Sequence, residues 1–134
     1  MEMTVIQVFD EVKEIGVYRD GSALKLSPEQ PKFKIVIDGI KDMLADSRQM
    51  PAFGVSLDNE TRKAVSEGVW VEFDFKDKLS FCEMSFERLL VQVISNYSGF
   101  NIIRFNSENG YAGRCYYFDL NKDMSDFYNI IISL

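Results

Sequence analysis

Hydrophobic and polar positions along this chain follow two periods, three to four residues in some stretches and two in others. Each change of period marks a new element. Over Thr4 to Ile15, the residues Val5, Val8, Phe9, Val12 and Ile15 recur at helical spacing, with Gln7, Asp10, Glu11 and Glu14 on the other side. Thr4 and Gln7 are spaced as a capping box and Gly16 stands where a C-terminal cap belongs, so the segment predicts a helix. Val17 to Leu26 is interrupted by Asp20-Gly21, a dipeptide that accepts the positive φ angles of a tight hairpin, and predicts two short strands. Ser27-Pro28-Glu29-Gln30 then opens a second helix, predicted from Pro28 to Asp46 on the stripe Phe33, Val36, Ile37, Ile40, Met43 and Leu44.

Arg48 to Phe53 predicts a connection and Phe53 to Leu57 a short strand. Asp58 is placed to cap a polar surface helix that runs to Glu67 and ends at Gly68. The clearest period-two segment is Val69 to Phe75, where Val69, Val71, Phe73 and Phe75 alternate with Trp70, Glu72 and Asp74. Asp77-Lys78 predicts a turn into a strand over Leu79 to Glu83. Beyond it, Ser85 precedes Phe86, Leu89, Leu90, Val93, Ile94 and Tyr97, which share one face of a predicted helix. Phe100 to Phe105 and Gly113 to Leu120 predict two strands joined through the turn-rich Asn106 to Gly110. For the end of the chain two readings stand: a short helix capped by Asp123, with Met124, Phe127, Tyr128 and Ile131 inward, or a last strand on the β-branched run Ile130 to Ile132.

Helices and hairpins are interspersed and most strand links are short, which favours antiparallel pairing over parallel crossovers. The expected architecture is a single α+β domain over residues 1–134, with an antiparallel sheet built from hairpins and helices packed on one face.

Composition narrows the function classes. The 134 residues are 46% hydrophobic and 13% aromatic, which excludes a disordered chain. A net charge of −6 with scattered Lys and Arg argues against nucleic acid, because a phosphate-tracking surface needs clustered cations. Histidine is absent, which removes imidazole-based triads and dyads. Two Cys without His match no zinc spacing, so neither a metal nor a cofactor is expected. No secretory signal pattern and no apolar run of membrane-spanning length are present, so a cytoplasmic protein with free thiols and no membrane contact is expected.

Several side chains stand as candidates. Trp70 points away from the main core if the alternation holds, and with Glu72 and Asp74 makes an aromatic, acidic surface for a protein partner. The competing and favoured reading buries Trp70 under a helix or loop. Arg104 and Arg114 fall on two strands of one hairpin; with Tyr111 or Tyr116 as a stacking wall, they make an alternative site for an anionic small molecule. The competing reading pairs each arginine with a carboxylate such as Asp119 or Glu87. Glu72 and Asp74 also stand one strand repeat apart, as an acid–base or cation-binding pair would, and Cys115 beside Arg114 is a conceivable nucleophile. The leading expectation is a non-enzymatic interaction protein that contacts a protein partner or a second copy of itself as a homodimer. Anionic-ligand binding is the alternative, and an enzyme using carboxylates or Cys115 ranks last.

Overall fold

The computed structural model describes residues 3–50 and 54–134. Among these residues nine strands and four α-helices run in the order α1 (Val5–Val8), β1 (Glu14–Arg19), β2 (Ser22–Leu26), α2 (Pro31–Leu44), β3 (Arg48–Met50), β4 (Val55–Ser56), α3 (Asp58–Ala64), β5 (Val69–Phe81), β6 (Met84–Gln92), β7 (Gly99–Phe105), β8 (Gly113–Arg114), β9 (Tyr116–Asp119) and α4 (Ser125–Ile132). A seven-stranded sheet in the order β2-β1-β5-β6-β7-β9-β3 forms the body, and β4 pairs with β8 in a small second sheet. Every pairing is antiparallel. The α+β class and the hairpin-built sheet agree with the sequence reading. Among the described residues no helix is long and apolar enough to cross a membrane.

The main core lies between one face of the sheet and α2 and α4. Ile15, Val17, Val71, Phe73, Leu89, Val91, Ile102, Tyr116 and Phe118 alternate onto that face and meet Val36, Ile40, Phe127 and Ile131 from the helices. The helices approach closely because α2 carries Gly39 at the crossing. A Cβ there would stand 3.1 Å from both the Ile130 and Phe127 Cδ1 atoms, so a larger residue must push α4 away.

One predicted helix is shorter than expected and another is a strand. The capping box at Thr4 and Gln7 is present, but the helix lasts one turn, continues as a 3-10 turn over Phe9–Glu11 and gives way to β1. Gly16 is therefore a strand residue, opposite Lys25 on one side and Glu72 on the other, rather than a cap. The second case is β6. Its residues Phe86, Leu89 and Val91 face the main core while Leu90 is buried on the other face, so both sides of the strand are apolar and the period of two is masked. The turn into β6 is Cys82-Glu83, both at positive φ (51° and 63°), not Asp77-Lys78. At the latter position β5 runs on through a register shift between Asp74 and Leu79.

The remaining boundaries move by a few residues. Ser27 and Gln30 form a reciprocal turn, and α2 starts only at Pro31. Part of the predicted connection Arg48 to Phe53 is strand β3; Phe53, the first residue of the predicted strand to Leu57, lies outside the described residues. The C-terminal segment takes the helical alternative, entered where Asp123 accepts from the Ser125 amide (3.0 Å).

Candidate functional site

The second face of the sheet carries a smaller cluster of Trp70, Leu90 and Tyr111, packed by Tyr18, Val65, Ile103 and Phe105. Polar α3 brings Val65 over this face. The indole of Trp70 donates to the Glu67 carbonyl (2.8 Å), in the turn that follows α3. Trp70 is thus 5% exposed and Glu72 4%, which takes both away from the surface on which a partner would dock. The reading that buries Trp70 under a helix or loop is the one realised, through the turn that follows α3. Asp74 remains partly accessible and accepts from the Lys76 amide (2.9 Å).

Glu72 is held by a buried network instead. Its Oε1 pairs with Arg88 Nη1 (3.3 Å) and its Oε2 accepts from the Tyr111 hydroxyl. Arg88 lies over Phe105, its Cζ 3.6 Å from the ring centroid. Burial, and next the Glu72 charge, push the Tyr111 phenol well above its ordinary range, so it stays a hydrogen-bond donor. The Glu72–Asp74 pair therefore divides between a buried network and a strand irregularity, and does not converge on a shared proton or cation. Among the described residues no three acidic or Cys side chains gather as metal ligands.

A clasp joins α3 to the loop before β8. Asp58 accepts from the Tyr111 amide (2.9 Å) and from Arg62 Nε (3.0 and 2.9 Å), and Arg62 Cζ lies 5.2 Å from the centre of the Tyr111 ring. The Tyr111 amide and then Arg62 hold the Asp58 carboxyl below the usual carboxylate range. Asp58 is thus not the N-cap that its position suggested; Leu57 occupies that place, and the carboxylate points to the loop. Gly110 fits under Asp58 at φ +63°, with no room for a side chain.

The four residues of the anionic-site expectation are not brought together. The β7–β9 pairing ends at Ile102 opposite Tyr116; Arg104 pairs with Leu89 of β6, on the main-core side, while Arg114 lies on β8 opposite Val55 of β4. Arg104 spends its guanidinium on two carbonyls, Arg114 (2.7 Å) and Ser85 (2.9 Å), and Arg114 projects into solvent. Asp119 and Glu87 serve other partners, Arg48 and Ser107 respectively. Tyr116 is buried with its hydroxyl on the Phe81 and Met84 carbonyls, while Tyr111 lies across the sheet in the second cluster. Cys115 is buried, and desolvation pushes its thiol up; the cation that opposes this is Arg104 rather than Arg114.

Two features escaped the sequence reading. A cavity of about 240 Å³ opens on the second face between Tyr18, Arg62, Val65, Leu90 and Tyr111. On the helical side, a groove of about 400 Å³ runs between Lys32 and Ile35 of α2 and the end of the chain at Asn129, Ile130, Ser133 and Leu134. Ile35 is 49% exposed and Ile132 44%. The phase of α2 contained this signal, since Ile35 falls outside the Phe33-Val36-Ile37-Ile40 stripe. Asp58 and Arg62 were likewise legible as an i,i+4 pair.

One solved structure shares this arrangement of sheet and helices. The chain is similar in fold to YycH from Bacillus subtilis. The superposition has a TM-score of 0.52 at 12% identity and covers 100% of this chain and 39% of that one. At such identity the likeness is one of fold, and the chain spans well under half of the length of YycH. No family model and no curated protein sequence matches the chain.

Proposed function

We propose that this chain is a non-enzymatic interaction domain and that its contact surface is the apolar face formed by α2 and α4. The observation that carries this reading is half-exposed Ile35 in an open groove that Ile130 and Leu134 also line and in which Lys32 is the one charged side chain; Ile132 of α4, outside the lining, is half-exposed as well. Aliphatic side chains on a helical face gain roughly 25 cal/mol for each Å² of apolar surface removed from water, and among the described residues these two keep about half of theirs in water. The occupant of the face is a second copy of the chain. A two-fold contact sets the same apolar residues of both copies against each other, and the groove lining brings no acidic side chain into the interface. A cytoplasmic location belongs to this reading and is in keeping with Cys82 and Cys115 standing as free thiols.

The chain's net charge of −6 opposes association, because each copy repels the other beyond the contact. The dimer is therefore weak and strengthens with salt, the reverse of an association held by opposite charges. Sedimentation velocity between about 10 μM and 1 mM protein tests this, since weak contacts of small area fall in that affinity range. The weight-average sedimentation coefficient rises with concentration, and more steeply in 0.5 M than in about 0.05 M salt. A monomer at every concentration and both ionic strengths overturns the reading.

A further inference from the structure

The cavity on the second face lies across the sheet from the α2–α4 groove and plays no part in the proposed contact. We propose that it is a binding site for a small aromatic carboxylate. Leu90, fully buried, makes the floor; Tyr18 and Tyr111 contribute ring walls, and Val65 closes the side beneath α3. A volume of about 240 Å³ is below that of pockets for drug-sized ligands and suits a single ring with a short substituent. Phenol rings beside an aliphatic floor favour a flat apolar body, which stacks or meets them edge-on.

Arg62 supplies the charge selection. Its hydrogen bonds to Asp58 run through Nε (3.0 and 2.9 Å), which fixes the guanidinium beside the Tyr111 ring and leaves the two Nη nitrogens as its remaining donors at the cavity rim. A planar fork of N–H groups matches a carboxylate better than a neutral amide, whose NH2 would face the same donors. The acids nearby do not compete for the position of the ligand. Glu72 has one oxygen on Arg88 and the other on the Tyr111 hydroxyl, and Asp58 is engaged by Arg62 and the Tyr111 amide. The formal charges of Glu72, Asp58, Arg62 and Arg88 cancel. Lys25, 5.9 Å from the centre of the Tyr18 ring, adds a further positive charge close by, itself 4.0 Å from Glu14.

The test is a titration of the full chain with benzoate and, separately, benzamide, followed by backbone amide shifts. Benzoate is expected to give saturable shifts at Tyr18, Val65, Leu90 and Tyr111, with at least fivefold tighter binding than benzamide. In Arg62→Gln that preference is expected to fall to within twofold while shifts in the main core stay unchanged. Absence of saturable shifts at these four residues, equal binding of benzoate and benzamide, or benzoate shifts centred on Arg104 and Arg114 would each overturn the proposal. The wild-type comparison stands alone if the Arg62 variant loosens α3.

Discussion

Replacing Tyr111 with Phe removes one oxygen from the buried network and leaves the ring in place. The ring retains its contact with Phe105, at 4.9 Å between centroids, and its place against Leu90. What disappears is the hydrogen bond to Glu72 Oε2, on a carboxylate that is 4% exposed and whose remaining partner, Arg88 Nη1, stands at 3.3 Å. A hydrogen bond to a charged group contributes roughly 1.5–3 kcal/mol, and stranding the acceptor in a buried position puts the cost in that range. The Arg88 partner that remains keeps the carboxylate paired, which moves the expected loss toward the lower half, about 1.5–2 kcal/mol. For a domain of this size that is a fall in melting temperature of roughly 5–8 °C. Urea unfolding of both proteins at pH 7, followed by far-ultraviolet circular dichroism, measures it at unchanged m-value.

The same pair has a second signature in pH. The Tyr111 phenol is pushed up, first by burial and then by Glu72, from an ordinary value of 10.0. The folded protein therefore keeps a proton that the unfolded chain releases above pH 10. Its contribution is fully present below pH 10 and is lost as pH rises toward the raised folded value. The stability gap between wild type and Tyr111→Phe is expected to be flat from pH 7 to 9 and to shrink above about pH 10. A variant within about 0.5 kcal/mol of wild type, or a gap independent of pH throughout, refutes the network as described.

Three further outcomes follow from the second face. Gly110→Ala places a Cβ 2.3 Å from Asp58 Oδ1 at φ +63°, and is expected to cost roughly 1–3 kcal/mol and to speed amide exchange in α3; unchanged exchange there contradicts the clasp. Carboxylate NMR of Asp58 is expected to give a midpoint below the ordinary 3.8, so its stabilising contribution holds above that value and disappears as pH falls through the depressed one; a midpoint at or above 3.8 contradicts this. Trp70 is the single tryptophan and is 5% exposed, so native fluorescence is expected to be blue-shifted and poorly quenched by iodide, whereas the emission of a solvated indole would contradict its burial.

The sequence made some elements legible because one face of each met water. The stripe of α2 and the Asp20-Gly21 hairpin have a solvated side that displays the period, whereas Val69 to Phe75 was legible because Glu72 and Asp74 keep its alternate positions polar even though Trp70 and Glu72 are buried. The pattern failed where both sides are buried. In β6, Leu89, Leu90 and Val91 are all inside, and residues that satisfy a helical stripe turn out to serve two faces of a strand. The N-terminal helix was legible at its capped start and overextended at its end: pairing of β1 with β2 and β5 takes over from Glu14, so the helical stretch stops at Glu11. The hairpin left the register of Arg104 and Arg114 open, and the occupation of Arg104 was not legible either. It depends on the Ser85 carbonyl from the neighbouring strand and on the break in the ladder at Cys115, whose amide donates to Gly54. Tyr111 stood out as an aromatic in the sequence, whereas its partners Glu72, Arg88 and Asp58 lie far from it along the chain.

The claim on which the functional account rests is that two copies meet through α2 and α4. The decisive comparison is sedimentation equilibrium of wild type against the double variant Ile35→Asp, Ile132→Asp, at high salt and the same protein concentration. Both side chains are half exposed, so the substitutions leave the core intact and the fold is expected to persist. The account predicts a monomer–dimer equilibrium in wild type and a monomer in the variant. Equal association of the two proteins, or none in either, would contradict it.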